Sequence, residues 1–288
     1  MFASLAMTGD AGIVLQRSLN IIFTYMRRLR LVERKGCEVS NRFCVLLMAL
    51  AQAIWILGFV SDTQAEYEAI EVSDGCTISG SVNFVGAMPE PDMLVVDKDL
   101  HTCGMTTRPS GKLIIDGNTR GIKNAVVFIE NITRGKKFGE KWHFILDQKA
   151  CEFVPHVQVI PVNGTLEIRN SDPMAHNVHA YSLKNPTFNE SIPSRGNPLT
   201  KSFELQEMIK MGCDRHGWMK AWTVVRENPY YCLTGADGTF EITDVPPGEY
   251  KVSVWHEAFD EEQLRVLTQE VKLMPSQKIG LSFKLSPN

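Results

Sequence analysis

The sequence has no surplus of charge of either sign: 30 Lys and Arg stand against 33 Asp and Glu, a formal −3 at pH 7. That balance excludes a non-specific nucleic-acid binder and a basic membrane-surface protein. Also missing are a Walker loop, a dinucleotide fingerprint, a nucleophile elbow and a zincin helix, so the common nucleotide, esterase and metalloprotease chemistries have no foothold. Amphipathic helical periodicity is scarce beyond residue 66. What remains is a chain of 288 residues, 44% hydrophobic and 22% charged. Disordered and fibrous classes are thereby excluded, and the length suits two domains of about 100–150 residues each.

The charge is unevenly placed. Residues 1–65 carry seven basic and four acidic residues, which leaves the remainder at −6. Arg27, Arg28, Arg30, Arg34 and Lys35 precede an apolar run from Phe43 to Val60, and small residues follow at Thr63 and Ala65. This is the order of a signal peptide, with cleavage expected after Ala65 and translation expected to start at Met1 or Met26. A retained anchor over residues 43–60 is the rival reading, because the run is just long enough to span a bilayer. Either way residues 66–288 are expected in the periplasm or outside the cell, with no other integral membrane segment. Of seven cysteines, Cys37 and Cys44 fall in the leader, leaving Cys76, Cys103, Cys151, Cys213 and Cys232 in an oxidising compartment. An odd number leaves at least one thiol with another task.

Beyond residue 66 the apolar pattern comes in short runs: Ile78–Phe84, Ala125–Ile129, Val157–Ile160, Thr165–Ile168, Thr223–Val225, Lys251–Trp255 and Leu281–Leu285. Turn signals such as Val162-Asn163-Gly164, Ala236-Asp237-Gly238 and Pro246-Pro247-Gly248 separate them. Such spacing predicts an all-β chain of sandwiches or barrels. Phe203–Lys210 and Ala258–Thr268 are the stretches where a short helix or turn is expected.

The segment that carries chemistry is Cys213-Asp214-Arg215-His216-Gly217-Trp218-Met219. It places thiolate, imidazole and thioether on one loop. Thiolate and thioether favour Cu(I), imidazole serves both copper oxidation states, and a weak axial thioether tunes the potential. A second imidazole is needed, and Asn170-Ser171-Asp172-Pro173-Met174-Ala175-His176-Asn177-Val178-His179 supplies one about forty residues upstream. Zinc is a poorer match, since Met binds it weakly and structural zinc takes four Cys or His. A Cys213 nucleophile with His216 as base lacks an orienting carboxylate in the pattern.

The Asn-x-Asp and His-Asn-Val motifs, followed by Cys-x2-His-x2-Met, resemble the cupredoxins, with the short ligand loop of amicyanin. The resemblance covers roughly residues 142–226. It implies a Greek-key β-sandwich, a copper cofactor, His176, Cys213 and His216 as equatorial ligands, Met219 as the axial one, and Asn177 tying the ligand loops together. His156 and His179 are possible additional ligands, although an offset of three along a strand turns His179 away from His176. His256 is expected to be an ordinary strand-end histidine, and His101 and His143 carry no pattern. Trp218 and Trp222 suit packing of a sandwich end, or a docking patch around His216. Met208 and Met211 suit core packing or a copper-loading patch.

Residues 234–252, with Asp237-Gly238-Thr239-Phe240 and Pro246-Pro247-Gly248-Glu249-Tyr250, resemble the carboxypeptidase-regulatory or transthyretin-like sandwich. The organisation expected is a leader (1–65), a β region (66–141), the copper domain (142–226) and the regulatory-like sandwich (227–288). Ile78–Val82 and Asn124–Glu130 resemble opening strands of that same sandwich, so the copper domain is expected to be inserted into it. Cys103 and Cys151 are the favoured disulfide, with Cys76 and Cys232 as a second candidate pair and three connectivities open. The expected function is one-electron transfer to and from a redox partner protein, with no catalysis. Two other classes remain: a copper carrier or store, and a metal-free accessory module. The His-x-His pairs of multicopper oxidases and nitrite reductases are absent.

Overall fold

The structure is a computed structural model that describes residues 67–104 and 106–286. The expected leader, its apolar run and the alternative starts lie outside the described residues. Among the described residues, no helix is long and apolar enough to cross a membrane.

Three stretches of chain supply the elements. The first carries β1 (Glu68–Ala69), β2 (Cys76–Phe84), β3 (Met93–Val95), α1 (Leu100–Cys103), β4 (Thr107–Pro109), β5 (Val126–Ile129) and β6 (Arg134–Gly135). The second carries β7 (His143–Lys149), β8 (Glu152–Val154), β9 (Val157–Pro161), β10 (Thr165–Asn170), β11 (His176–Tyr181), β12 (Phe188–Ile192), β13 (Leu199–Lys201), β14 (Glu207–Gly212) and β15 (Lys220–Arg226). The third carries β16 (Tyr231–Leu233), β17 (Thr239–Val245), β18 (Gly248–Trp255), α2 (Glu261–Arg265), β19 (Gln269–Leu273) and β20 (Lys278–Leu285). The described chain is thus all-β, with two short helices.

The middle stretch folds upon itself. One sheet has the order β13-β10-β7-β8 and the other β12-β11-β14-β15-β9. Leu146, Leu166 and Ile168 from the first meet Val178, Ile209 and Val225 from the second in one buried cluster. Alternation produces this: in β7 the even positions Phe144, Leu146 and Gln148 are buried while their neighbours face outward.

The flanking stretches close a second sandwich, β16-β5-β18-β19 against β17-β2-β20. β2 runs antiparallel to β17 and parallel to β20, so chain from before and after the middle stretch shares one sheet. Ile78, Val82, Ile129, Ile242, Val252 and Phe283 fill its core. The approach of β20 to β2 requires Gly80, where a Cβ would collide with the Leu281 carbonyl oxygen.

β5 and β9 are buried at every position. Each belongs to a sheet whose outer face is also covered: Val126 and Phe128 pack on Val157, Val159 and Val224. Burial on both faces explains why these two segments read as continuous apolar runs. Arg226 is buried at this junction, its guanidinium 4.2 Å from the Phe128 ring centre and donating to the Ile129 carbonyl at 3.0 Å. Burial lowers its pKa to about 10.

The two stretches expected to hold a short helix or turn resolve differently. Phe203–Lys210 is no helix: a bend at residues 204–205 leads into β14, which pairs with both β11 and β15. In Ala258–Thr268 the helix is present as α2, because Asp260 accepts from Gln263 N and the Gln263 side chain accepts from Asp260 N, a reciprocal cap. Cys103 and Cys151 form a disulfide. Cys76 and Cys232, by contrast, are free thiols. They lie on β2 and β16, in opposite sheets of the split sandwich, and the Cys76 thiol instead donates to the Met274 carbonyl at 2.9 Å.

Candidate metal centre

The hairpin between β14 and β15 places the ligand loop. Their register ends at the Gly212–Lys220 pair. Cys213 N then donates to the Met219 carbonyl at 3.3 Å, and Met219 N to the His216 carbonyl at 2.8 Å, which folds Cys213–Met219 into a closed turn. β11 begins at His176 and lies beside β14, so its first residues face this turn. Asn177 fastens the two: its Oδ1 accepts from Asp214 N at 2.8 Å, Cys213 Sγ at 3.2 Å and Arg215 N at 3.3 Å.

His176 Nδ1, Cys213 Sγ and His216 Nδ1 converge within 4.8 Å of one another. The two nitrogens are 2.9 Å apart, with the sulfur 4.0 Å from His176 and 3.7 Å from His216. All three residues and Met219 are at most 3% exposed.

The outer nitrogens decide what this cluster can do. His176 Nε2 lies 2.9 Å from Asp172 Oδ2, and His216 Nε2 lies 3.0 Å from Asp99 Oδ2. An ionised carboxylate only accepts, so each Nε2 carries the proton, and a neutral imidazole then has only a lone pair at Nδ1. Burial, opposed by the Asp172 hydrogen bond, holds the His176 pKa below its ordinary value. The His216 hydrogen bond likewise lowers the Asp99 pKa. At most one of the two Nδ1 atoms can carry a proton toward the other, so at least one lone pair is turned inward at 2.9 Å, beside a sulfur. A proton could bridge one pair of these donors, whereas a metal cation satisfies all three.

Support extends outward from Asp172, which also accepts from Ala150 N and Cys151 N at 2.7 and 2.8 Å. Trp218 stands over the His216 ring at 5.0 Å and donates to the Cys151 carbonyl at 3.2 Å.

The other candidates lie elsewhere. His179 Nδ1 bonds Asp214 Oδ1 at 3.1 Å and its ring stacks on Tyr181 at 4.0 Å. His156 pairs with Glu257, which also accepts from Trp222 Nε1 at 2.9 Å. Neither histidine joins the cluster. Trp218 is buried and Trp222 meets Trp255 edge-on at 5.0 Å, so no exposed aromatic patch surrounds His216 among the described residues. Met211 is a core residue, and Met208 packs at the junction of the sandwiches. Asp172 was visible within its motif. Asp99 was not, since 117 residues separate it from His216 and no local pattern marks it.

No protein-family model matches the chain, and no curated protein matches it. Among solved structures, the chain is similar to the Cu-containing nitrite reductase of Thermus scotoductus SA-01, at 22% identity over 30% of this chain and 22% of that one, with TM-score 0.28. It is similar to a purple cupredoxin from Nitrosopumilus maritimus at 22% identity, covering 29% of this chain and 98% of that one, TM-score 0.25. The reduced Cu(I) form of an amicyanin mutant matches at 17% identity over 29% of this chain and 82% of that one, TM-score 0.27.

Proposed function

We propose that the chain holds one copper ion between His176, Cys213 and His216, with Met219 as a weaker fourth ligand, and passes single electrons to and from a redox partner protein. The observation that carries this is the convergence of two imidazole Nδ1 atoms and a thiol sulfur within 4.8 Å of one another, an arrangement that a cation completes. Copper suits the donors, because two imidazoles, a thiolate and a thioether serve both of its oxidation states, whereas zinc gains little from Met219. When bound, copper supplies the Cu(II)/Cu(I) couple. The chain supplies the rest: Cys213 gives up its proton on metal binding, Asp172 and Asp99 fix both imidazoles, and Asn177 locks the two ligand segments in one geometry. A rigid ligand set leaves little to rearrange on electron transfer.

One further feature supports the reading. The Cys103–Cys151 disulfide fits an exported protein in an oxidising compartment. We read residues 142–226 as the cupredoxin-like domain, and the flanking stretches as one regulatory-like sandwich divided by it.

The test is the visible absorption and electron paramagnetic resonance spectrum of the purified protein with one equivalent of Cu(II). An intense thiolate-to-copper band that bleaches on reduction and returns on oxidation supports electron transfer. A colourless protein that exchanges copper freely indicates a carrier, and one that retains no copper indicates an accessory module.

A further inference from the structure

The segment from β3 through α1 to β4 belongs to the first stretch of chain, yet it lies on the metal end of the middle sandwich. We propose that this strap closes the imidazole edge of the centre, and that Asp99 is the positioning residue that holds His216 and keeps outside ligands from the metal. The proposal rests on the copper reading and deepens it: the site it describes admits electrons but no small-molecule substrate.

Asp99 has the wrong backbone for an ordinary role. It occupies the left-handed region at φ 50° and ψ 37°, which L-residues other than Asn and Asp seldom enter. It stands at the N-cap of α1, where an aspartate usually accepts from the helix backbone, but its side chain makes no capping bond. The carboxylate is turned instead to His216 Nε2.

Three anchors hold the strap there. Val96 is buried in the same apolar cluster as Cys213 and Met219. Cys103, at the end of α1, is bonded to Cys151, whose N–H is held by the same Asp172 carboxylate that holds His176. Arg108 on β4 donates to the Ala150 and Cys151 carbonyls at 3.1 and 2.6 Å, pairs with Glu152 at 3.0 Å and lies 6.0 Å from the Trp218 ring centre. Through the disulfide and the Cys151–Asp172 hydrogen bond, the carboxylates behind the two imidazoles are linked by a short path. Its consequence is a His216 that is 1% exposed.

The experiment compares the wild type with Asp99→Gly, which removes the carboxylate but keeps the left-handed turn accessible, and Asp99→Asn, which keeps an acceptor oxygen. In the metal-free proteins, acylation by diethyl pyrocarbonate is followed peptide by peptide. His216 should be protected in the wild type and in D99N, and should react in D99G at the rate of the exposed His101. The Cys103–Cys151 bridge, checked by mass without reductant, should persist in all three. With Cu(II) added, D99G should retain the metal about 10- to 100-fold more weakly, have a higher reduction potential, and develop a new charge-transfer band with azide that the wild type lacks. Wild-type His216 that reacts as fast as His101, or a D99G protein as protected as the wild type, overturns the strap. Protection in a protein that takes up no copper leaves the strap standing and removes the copper reading instead.

Discussion

Two buried histidine environments in this chain differ in a way that burial alone does not show. His256, in the split sandwich, donates from Nε2 to the Lys123 carbonyl at 3.1 Å and accepts at Nδ1 from Ala258 N at 3.2 Å. Both ring nitrogens are satisfied by backbone, and nothing further is needed. His176 and His216, in the inserted sandwich, are equally buried, but each uses one nitrogen on a carboxylate and turns the other toward the partner imidazole and the Cys213 sulfur. The candidate metal centre is marked by ring nitrogens that meet one another beside a thiol, and a structural histidine by ring nitrogens that both meet backbone.

The contrast can be broken most severely at Cys213. Cys213→Ser should abolish the thiolate-to-copper band, because a hydroxyl is no substitute for the soft ligand, while far-ultraviolet circular dichroism stays that of the wild type. A band that survives would place the metal elsewhere. Next in size is the frame behind the imidazoles. Replacing both Cys103 and Cys151 by Ser opens a bridge spanning 48 residues and should cost about 4 kcal/mol on the chain-entropy account. Urea denaturation measures it, and an unchanged midpoint would show that Val96 and Arg108 hold the strap without the disulfide.

His256 provides the next test, on the satisfied side of the comparison. Burial lowers its pKa from 6.5 to about 4. A histidine whose folded pKa is depressed binds its proton more readily when unfolded, so its contribution is intact above pH 6.5 and is lost as the pH falls toward 4. The full loss is about 3 kcal/mol. Chemical denaturation at about pH 7, 5.5 and 4 should show this decline, and His256→Gln, which can still donate to the Lys123 carbonyl, should flatten it. An equal decline in both proteins would assign the acid sensitivity to other groups, His176 among them.

The legible parts of the molecule were those written locally. β2, β9, β10 and β20 follow from alternating or continuous apolar runs, and the β9–β10 turn from Asn163, whose φ of 59° suits Asn before Gly164. Cys213, His216 and Met219 could be singled out because soft and imidazole donors share one short loop, and His176 and Asn177 because they share one short motif upstream. What lay beyond the sequence depends on distant chain. Phe203–Lys210 has apolar spacing compatible with a turn or a helix, and only pairing with β11 and β15 makes Glu207–Gly212 a strand. The pairing of Cys76 with Cys232 failed because the cysteine count carries no sheet order. Asp99 is the extreme case: its role arises from a strap, a disulfide and a left-handed residue, none of which leaves a periodic trace.

The smallest expected effect is also the sharpest check on the ligand set. His179 is three residues from His176 on β11, and its ring faces outward to Tyr181 and Asp214. Asp214 does not depend on it, since Asn189 Nδ2 donates to Asp214 Oδ2 at 2.5 Å and Asn177 accepts from Asp214 N. His179→Ala should therefore leave the energy and intensity of the copper band unchanged, and stability should fall only slightly, as for other exposed ion pairs. Loss or displacement of the band would bring His179 into the coordination sphere. The cluster would then hold three imidazoles, and the line drawn between clustered and separately held histidines would have to pass through β11 itself.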